Sequence, residues 1–129
     1  MPSIFTKILA GEIPCAKVWE DECFFAFLDI MPVAPGHTLV ITKQEVNYLF
    51  DMDEKLYLDL MAASRKVAKM VKAATGCQRV CVGAFGFEVP HVHIHLFPLD
   101  GLNQFPFPKR EKANPADLDA MAKKIAAQA

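Results

Sequence analysis

From His91 to Phe97 the chain alternates without a break. Val92, Ile94 and Leu96 are large and apolar, and His91, His93 and His95 fall between them. A period of two belongs to a strand, whose successive side chains point to opposite faces. The pattern predicts three aliphatic residues in a core and three imidazoles in a row on the other face. Neighbouring rings would then stand roughly 6–7 Å apart along the strand. Three of the chain's four histidines lie in this one stretch.

The rest of the pattern supplies the elements around it. Ser3 is placed to cap a short helix, Ile4 to Ala10, with Ile4, Phe5, Ile8 and Leu9 as its apolar stripe and Gly11 as its end. Lys17 to Glu20 and Cys23 to Asp29 read as strands of a hairpin turning at Asp21-Glu22, the second nearly all apolar before it ends in an acid. Met31 to Gly36, with two prolines and a glycine, is a rigid loop into a third strand, His37 to Thr42. From Met52 to Ala74, Leu56, Leu60, Ala63, Val67, Met70, Val71 and Ala74 recur at helical spacing, with Asp51 or Asp53 as the cap and Gly76 as the stop. Gln78 to Phe85 is a fourth strand. The glycine-containing turn 83–86 leads to the histidine strand, which Pro90 holds extended at its start. Phe105-Pro106-Phe107-Pro108 reads as an ordered loop, and Asn114-Pro115 opens a last helix that runs to the C-terminus. Strands, one long helix and strands again predict an α+β fold. It has an antiparallel sheet of about five strands, one long helix and short terminal helices.

Composition narrows the function more than the fold. The chain of 129 residues is long enough for one domain, 1–129, with its own core. A net charge of −1 gives no footprint for nucleic acid or an anionic membrane. No apolar run reaches the roughly 20 residues of a membrane span. The opening MPSIFTKILAGEIP lacks the basic start and long apolar stretch of an export signal, so a cytoplasmic location is expected. Cys15, Cys23, Cys77 and Cys81 have neither zinc-like nor redox-motif spacing and read as reduced, small hydrophobic residues.

Three readings of the histidine row follow. It can be polar decoration on a solvated strand face. It can be a metal site, since imidazoles at alternate positions can share one ion and Glu88 or His37 could complete the shell. Or it can be a nucleophilic centre. In that case one neutral imidazole attacks an electrophile, its neighbours orient it, and backbone N–H groups of the preceding turn suit a phosphate oxygen. Crowding three titratable rings favours leaving at least one uncharged. Spacing does not choose between the metal and the nucleophile.

The stretch His91-Val92-His93-Ile94-His95-Leu96-Phe97 resembles the signature of the histidine triad (HIT) superfamily of nucleotide hydrolases and transferases. The likeness extends in order and spacing to Ile4-Phe5-Thr6-Lys7-Ile8, Gly11-Glu12-Ile13-Pro14, Glu20-Asp21, Ala26-Phe27-Leu28-Asp29-Ile30 and Ala34-Pro35-Gly36-His37-Thr38-Leu39-Val40-Ile41. It covers about residues 3 to 99. The resemblance implies a HIT-like fold and His93 as the nucleophile on the α-phosphorus of a purine nucleotide derivative. Adenosine phosphoramidates and related adenylates lead as substrates, followed by dinucleoside polyphosphates. His91 would hold the ring of His93 in the right tautomer. His95 would hydrogen-bond the phosphate or the leaving group, and His37 would join the relay. Asp29 stands at the ribose-binding carboxylate; Ile4, Phe5, Phe27 and Ile30 stand at positions that sandwich the base. The resemblance also implies a homodimer whose sheet continues across a two-fold axis. Its alternatives are a nucleotide-binding protein without chemistry and a metalloenzyme.

Two departures from the family pattern carry expectations of their own. Some members hold a structural zinc at positions that here read Ser3, Thr6, Glu45 and His91; three of the four ligands are missing, so neither zinc nor any other cofactor is expected. Where the family has Gly-Gln-Ser/Thr-Val, this chain has Gly86-Phe87-Glu88-Val89. The backbone N–H groups of Glu88 and Val89 can still serve a phosphate, whereas a carboxylate side chain there repels one.

Overall fold

A computed structural model describes residues 2–104 and 110–129; the expected loop 105–108 lies outside them. The element order is α1 (Ile4–Leu9), β1 (Lys17–Glu20), β2 (Phe24–Leu28), β3 (Thr38–Thr42), α2 (Glu54–Thr75), β4 (Arg79–Gly83), β5 (His93–Leu99) and α3 (Pro115–Ala126), with short 3-10 turns at Leu49–Asp51 and Leu102–Gln104. The five strands form one antiparallel sheet in the order β1-β2-β3-β5-β4. The α+β class read from the pattern is therefore the fold of the chain.

Alternation decides which side chains go where. Phe24, Ala26 and Leu28 of β2, Val40 of β3, and Ile94 and Leu96 of β5 point to one face. There they meet Leu60, Val67 and Val71 of α2 and Ile125 of α3 in the main core. Phe25, Phe27, Leu39 and Ile41 point to the other face and form a second cluster with Phe5 of α1. The histidines share that second face, because Leu39 is the register partner of His95 and Ile41 that of His93.

Capping sets the helix limits. Ser3 Oγ accepts from Thr6 N in front of α1, Asp53 accepts from Leu56 N in front of α2, and Asn114 accepts from Ala116 N in front of α3. Gly76, left-handed at φ 69°, ends α2. The helix interior follows the expected spacing, except that Leu56 is only half-buried and Ser64 joins the buried face.

Several predicted strand boundaries shift. Cys23 and Asp29 lie outside β2, and His37 sits just before β3. The fourth strand stops at Gly83, so Phe85 belongs to the turn. The histidine strand begins at His93 rather than at His91: the N–H of Val92 donates to Val46 O (2.7 Å), not to the β3 ladder.

Gly36, at φ 97°, stands directly before His37, and a Cβ there would come within 2.7 Å of Thr75 Cγ2. Only glycine lets the end of α2 approach this closely to the loop that delivers His37.

Candidate active site

The histidine row does not face solvent. His37 and His91 are fully buried, and His93 and His95 nearly so. The cover is α1, whose Phe5 ring sits edge-on to His93 (centroids 4.9 Å), His91 (5.7 Å) and Phe27 (5.5 Å). On the other side, Phe97 stacks on His95 (5.2 Å, interplanar 4°) and Phe85 tilts against it. Polar decoration of a solvated face is thereby excluded.

Burial disfavours the charged form of each ring it acts on. It pushes His37 down to about 3 and His95 to about 4 and lowers His93, with neighbouring charges adding to the effect at His37 and His95. At neutral pH these three rings are neutral. A neutral imidazole has one N–H donor and one acceptor nitrogen, so each hydrogen bond fixes a tautomer.

The first chain of bonds starts at the backbone of Val33, whose N–H donates to His37 Nδ1 (3.1 Å). The proton of His37 is therefore on Nε2, which donates to His95 Nδ1 (3.0 Å). That leaves the proton of His95 on its Nε2. The second chain starts at the carbonyl of His91, which accepts from His93 Nδ1 (2.6 Å). The Nε2 of His93 then carries a lone pair. His93 and His95, rings 4.9 Å apart, thus present a nucleophilic nitrogen beside an N–H donor.

His91 reaches His93 through its main chain. Its ring does not orient His93; its backbone carbonyl does. The ring is bolted down at both ends, with Nε2–H donating to Thr42 O (2.6 Å) and Nδ1 accepting from Ser3 Oγ (2.6 Å). Glu45 ties the same corner together, accepting from Ser3 N (2.7 Å) and Thr6 Oγ1 (2.6 Å). These hydrogen bonds hold the Glu45 carboxyl below its ordinary range. The four positions where some HIT proteins hold zinc do converge here, but the donors are two hydroxyls, a carboxylate and a ring already committed at both nitrogens. A structural zinc prefers thiolate and imidazole ligands, so this set does not fit it.

A second cluster tests the metal reading. Asp29, His37 and His95 bring one possible ligand atom each within 4.8 Å of one another. The Nε2 of His37 holds its proton as long as Val33 donates to Nδ1, and a protonated nitrogen has no lone pair for a metal. The cluster fits a hydrogen-bonded relay better than an ion.

Asp29 lies at the end of the relay. Its Oδ1 accepts from Met31 N (2.9 Å), and its Oδ2 faces His37 Nε2 at 3.7 Å and Arg110 Nη1 at 3.6 Å. Burial raises its pKa, while the Met31 N–H and the Arg110 charge work against that rise. Phe5 and Phe27 are buried within the second cluster; Ile4 and Ile30 are half exposed. Val89 packs against the same cluster and accepts from His91 N (2.9 Å). Glu88 is exposed on the turn, yet its charge acts on both Asp29 and His93. His93 also lines a cavity of about 480 Å³ that runs past Tyr48, Phe50, Phe85 and Phe87.

Sequence reasoning missed Arg110, which lies in a run of charged residues that reads as a solvated face. It also missed the bond of Ser3 to His91, because a helix cap already accounted for that serine. Free thiols are found at all four cysteines, and no helix among the described residues is long and apolar enough to cross a membrane.

The family model described as the HIT domain matches residues 10–102. The chain therefore belongs to the HIT family. It is similar to an uncharacterized HIT-like protein of Borreliella burgdorferi, at 35% identity over 86% of this chain and 85% of that one. It is also similar to the adenosine 5'-monophosphoramidase of Saccharomyces cerevisiae, at 40% identity over 74% of this chain and 61% of the yeast protein. Among solved structures, a Hit-like protein from Bartonella henselae, described as involved in cell-cycle regulation, superposes with a TM-score of 0.88. It is 36% identical and covers 98% of this chain and 96% of its own.

Proposed function

We propose that this chain cleaves the bond between the α-phosphorus and the leaving group of purine nucleotide derivatives, through a nucleotidyl-His93 intermediate. Adenosine phosphoramidates are the first substrate class, in keeping with the name of the yeast relative; other adenylates and dinucleoside polyphosphates come next. The observation that carries the reading is the pair of opposed tautomers, a lone pair on His93 Nε2 beside an N–H on His95 Nε2.

The lone pair of His93 attacks phosphorus, and the new P–N bond makes the ring cationic. Its Nδ1–H, held by the His91 carbonyl, carries that charge toward an acceptor. The Nε2–H of His95 donates to a phosphoryl oxygen as charge gathers there. The bond to the leaving group breaks with its electron pair, and the departing group takes its proton from solvent. Water then attacks the same phosphorus, releases its proton to solvent, and returns the lone pair to His93. Asp29 accepts from the ribose hydroxyls. Ile4 and Ile30, exposed beside the buried Phe5 and Phe27, offer apolar contact to the base, and the N–H groups of Glu88 and Val89 face the phosphate.

Acid-quenching the protein during turnover of an adenylate labelled at the α-phosphate tests this mechanism. Label is expected on His93 by peptide mapping and is absent in His93→Ala. Tight AMP binding without label would instead leave a nucleotide-binding protein without chemistry.

A homodimer is part of the same proposal. β4 is an edge strand with an apolar outward surface: Val82, Phe85 and Phe87 are exposed, and Tyr48 and Phe50 extend the patch. Unpaired edges of this kind invite another strand. By sedimentation velocity the protein is expected to run as a dimer at micromolar concentration, and Val82→Lys as a monomer. A monomeric parent protein would refute the pairing.

A further inference from the structure

A nucleotide brings negative charge to the α-phosphorus, and the triad has no cation to meet it. Burial holds His37, His93 and His95 toward their neutral forms. Asp29 and Glu88 add carboxylates, which repel phosphate when ionised. Among the described residues, one lysine or arginine acts on this group, and it is Arg110. Its Nη1 lies 3.6 Å from Asp29 Oδ2, and its charge also reaches His37 and His95. His93, by contrast, responds to His91, Asp29 and Glu88. The guanidinium therefore acts on the His37–His95 end of the row.

Its position is built, not incidental. Ala113 N donates to Ile30 O (2.9 Å), pinning the 110–113 segment against the residue that follows Asp29, and Asn114 then caps α3. The side chain is 30% exposed, so it borders the cleft without being sealed in. At 3.6 Å the contact with Asp29 is a charge pairing and not a hydrogen bond. It is also the one side-chain partner of Arg110 among the described residues, and a single charge pairing does not use up the five N–H donors of a guanidinium.

We propose that Arg110 is the phosphate-recognition residue of this site, and that Asp29 and Arg110 together read a sugar phosphate. The inference rests on the nucleotide reading above. When a nucleotide binds, Asp29 turns its Oδ2 to the ribose hydroxyls and the guanidinium takes two phosphoryl oxygens, a geometry its fork matches and an ammonium does not. The pairing with Asp29 keeps both groups in place until the exchange.

Calorimetric titration with AMP and with adenosine separates this role from a structural one. The parent protein is expected to prefer AMP to adenosine. Arg110→Gln should weaken AMP binding by about 10–100-fold, the range for a lost charge-assisted hydrogen bond, and leave adenosine within about twofold. Arg110→Lys keeps the charge without the fork and should fall between, with an AMP affinity that remains salt-sensitive. Unchanged melting temperatures guard against misfolding. Equal losses for AMP and adenosine in Arg110→Gln, or no loss for AMP, would overturn the assignment and make Arg110 a mere counter-ion of Asp29. Binding of neither ligand by the parent protein overturns the nucleotide reading along with it. A phosphate preference that disappears in Arg110→Gln, in a protein that never takes up label on His93, keeps Arg110 and removes only the covalent mechanism.

Discussion

Replacing His95 by alanine is expected to lower kcat by about 10²–10³-fold, the usual loss for one preorganised donor at a developing oxyanion, and to leave KM within a few-fold. The reason is the tautomer. His95 Nδ1 accepts from His37, so its Nε2–H is a fixed donor, and the ring's proton affinity is too low for it to be an imidazolium at neutral pH. A neutral imidazole is a poor proton source, so His95 acts through a hydrogen bond to a phosphoryl oxygen. The loss should therefore be much the same for an adenosine phosphoramidate and for an adenylate with a good leaving group such as fluoride. A loss that shrinks nearly to nothing with the good leaving group would mean that His95 protonates the departing atom, and the neutral relay would be wrong. His37→Asn should reproduce part of the defect, because it frees His95 to take either tautomer.

The second large effect concerns stability and acid. In the unfolded chain His37 and His95 titrate near their ordinary value of 6.5; folding lowers them to about 3 and about 4. A group lowered on folding contributes stability that is present above its unfolded value and is lost as pH falls toward its folded value. Unfolding therefore takes up protons below pH 6.5. Between pH 7 and 5 each ring gives up about 2 kcal/mol, and the two together about 4. That is a large fraction of the 5–15 kcal/mol typical of a domain. His93 acts in the same direction. Asp29 acts in the opposite one: its folded pKa is raised, so the proton it gains at low pH is favoured by the native state and offsets part of the loss. Urea midpoints at pH 7, 6 and 5 measure the net effect, with an unchanged m-value showing that the same surface unfolds. A midpoint that does not move over this range would refute the buried neutral row.

Much of this was legible in the sequence, for reasons that differ from element to element. The alternation of Val92, Ile94 and Leu96 predicted which face of β5 enters the main core, because a one-residue slip would put imidazoles there. α2 was legible from its spacing and from Asp53 and Gly76 at its ends. The start of β5 was not: whether His91 joins the ladder depends on Val46, which takes the neighbouring N–H from a loop far away in sequence. Nor was the burial of the histidine face, which depends on where α1 docks. Its apolar stripe predicts that it packs somewhere, and only the tertiary structure shows Phe5 lying against His93. Three of the directing partners of the rings were invisible for a simpler reason. Val33 N–H, His91 C=O and Thr42 C=O are main-chain atoms, and main-chain atoms leave no mark in a residue's identity.

That dependence on the main chain has a consequence for remodelling the protein. The protons of His37 and His93 are assigned by an amide N–H, which only proline at that position would remove, and by a carbonyl, which no substitution removes; His95 takes its setting from His37. The walls of the cleft, Phe85 and Phe87 among them, are made of side chains. An engineer seeking a new leaving group can rebuild those walls while the chemical engine keeps its setting, provided that Gly36 and the loop behind His37 stay as they are.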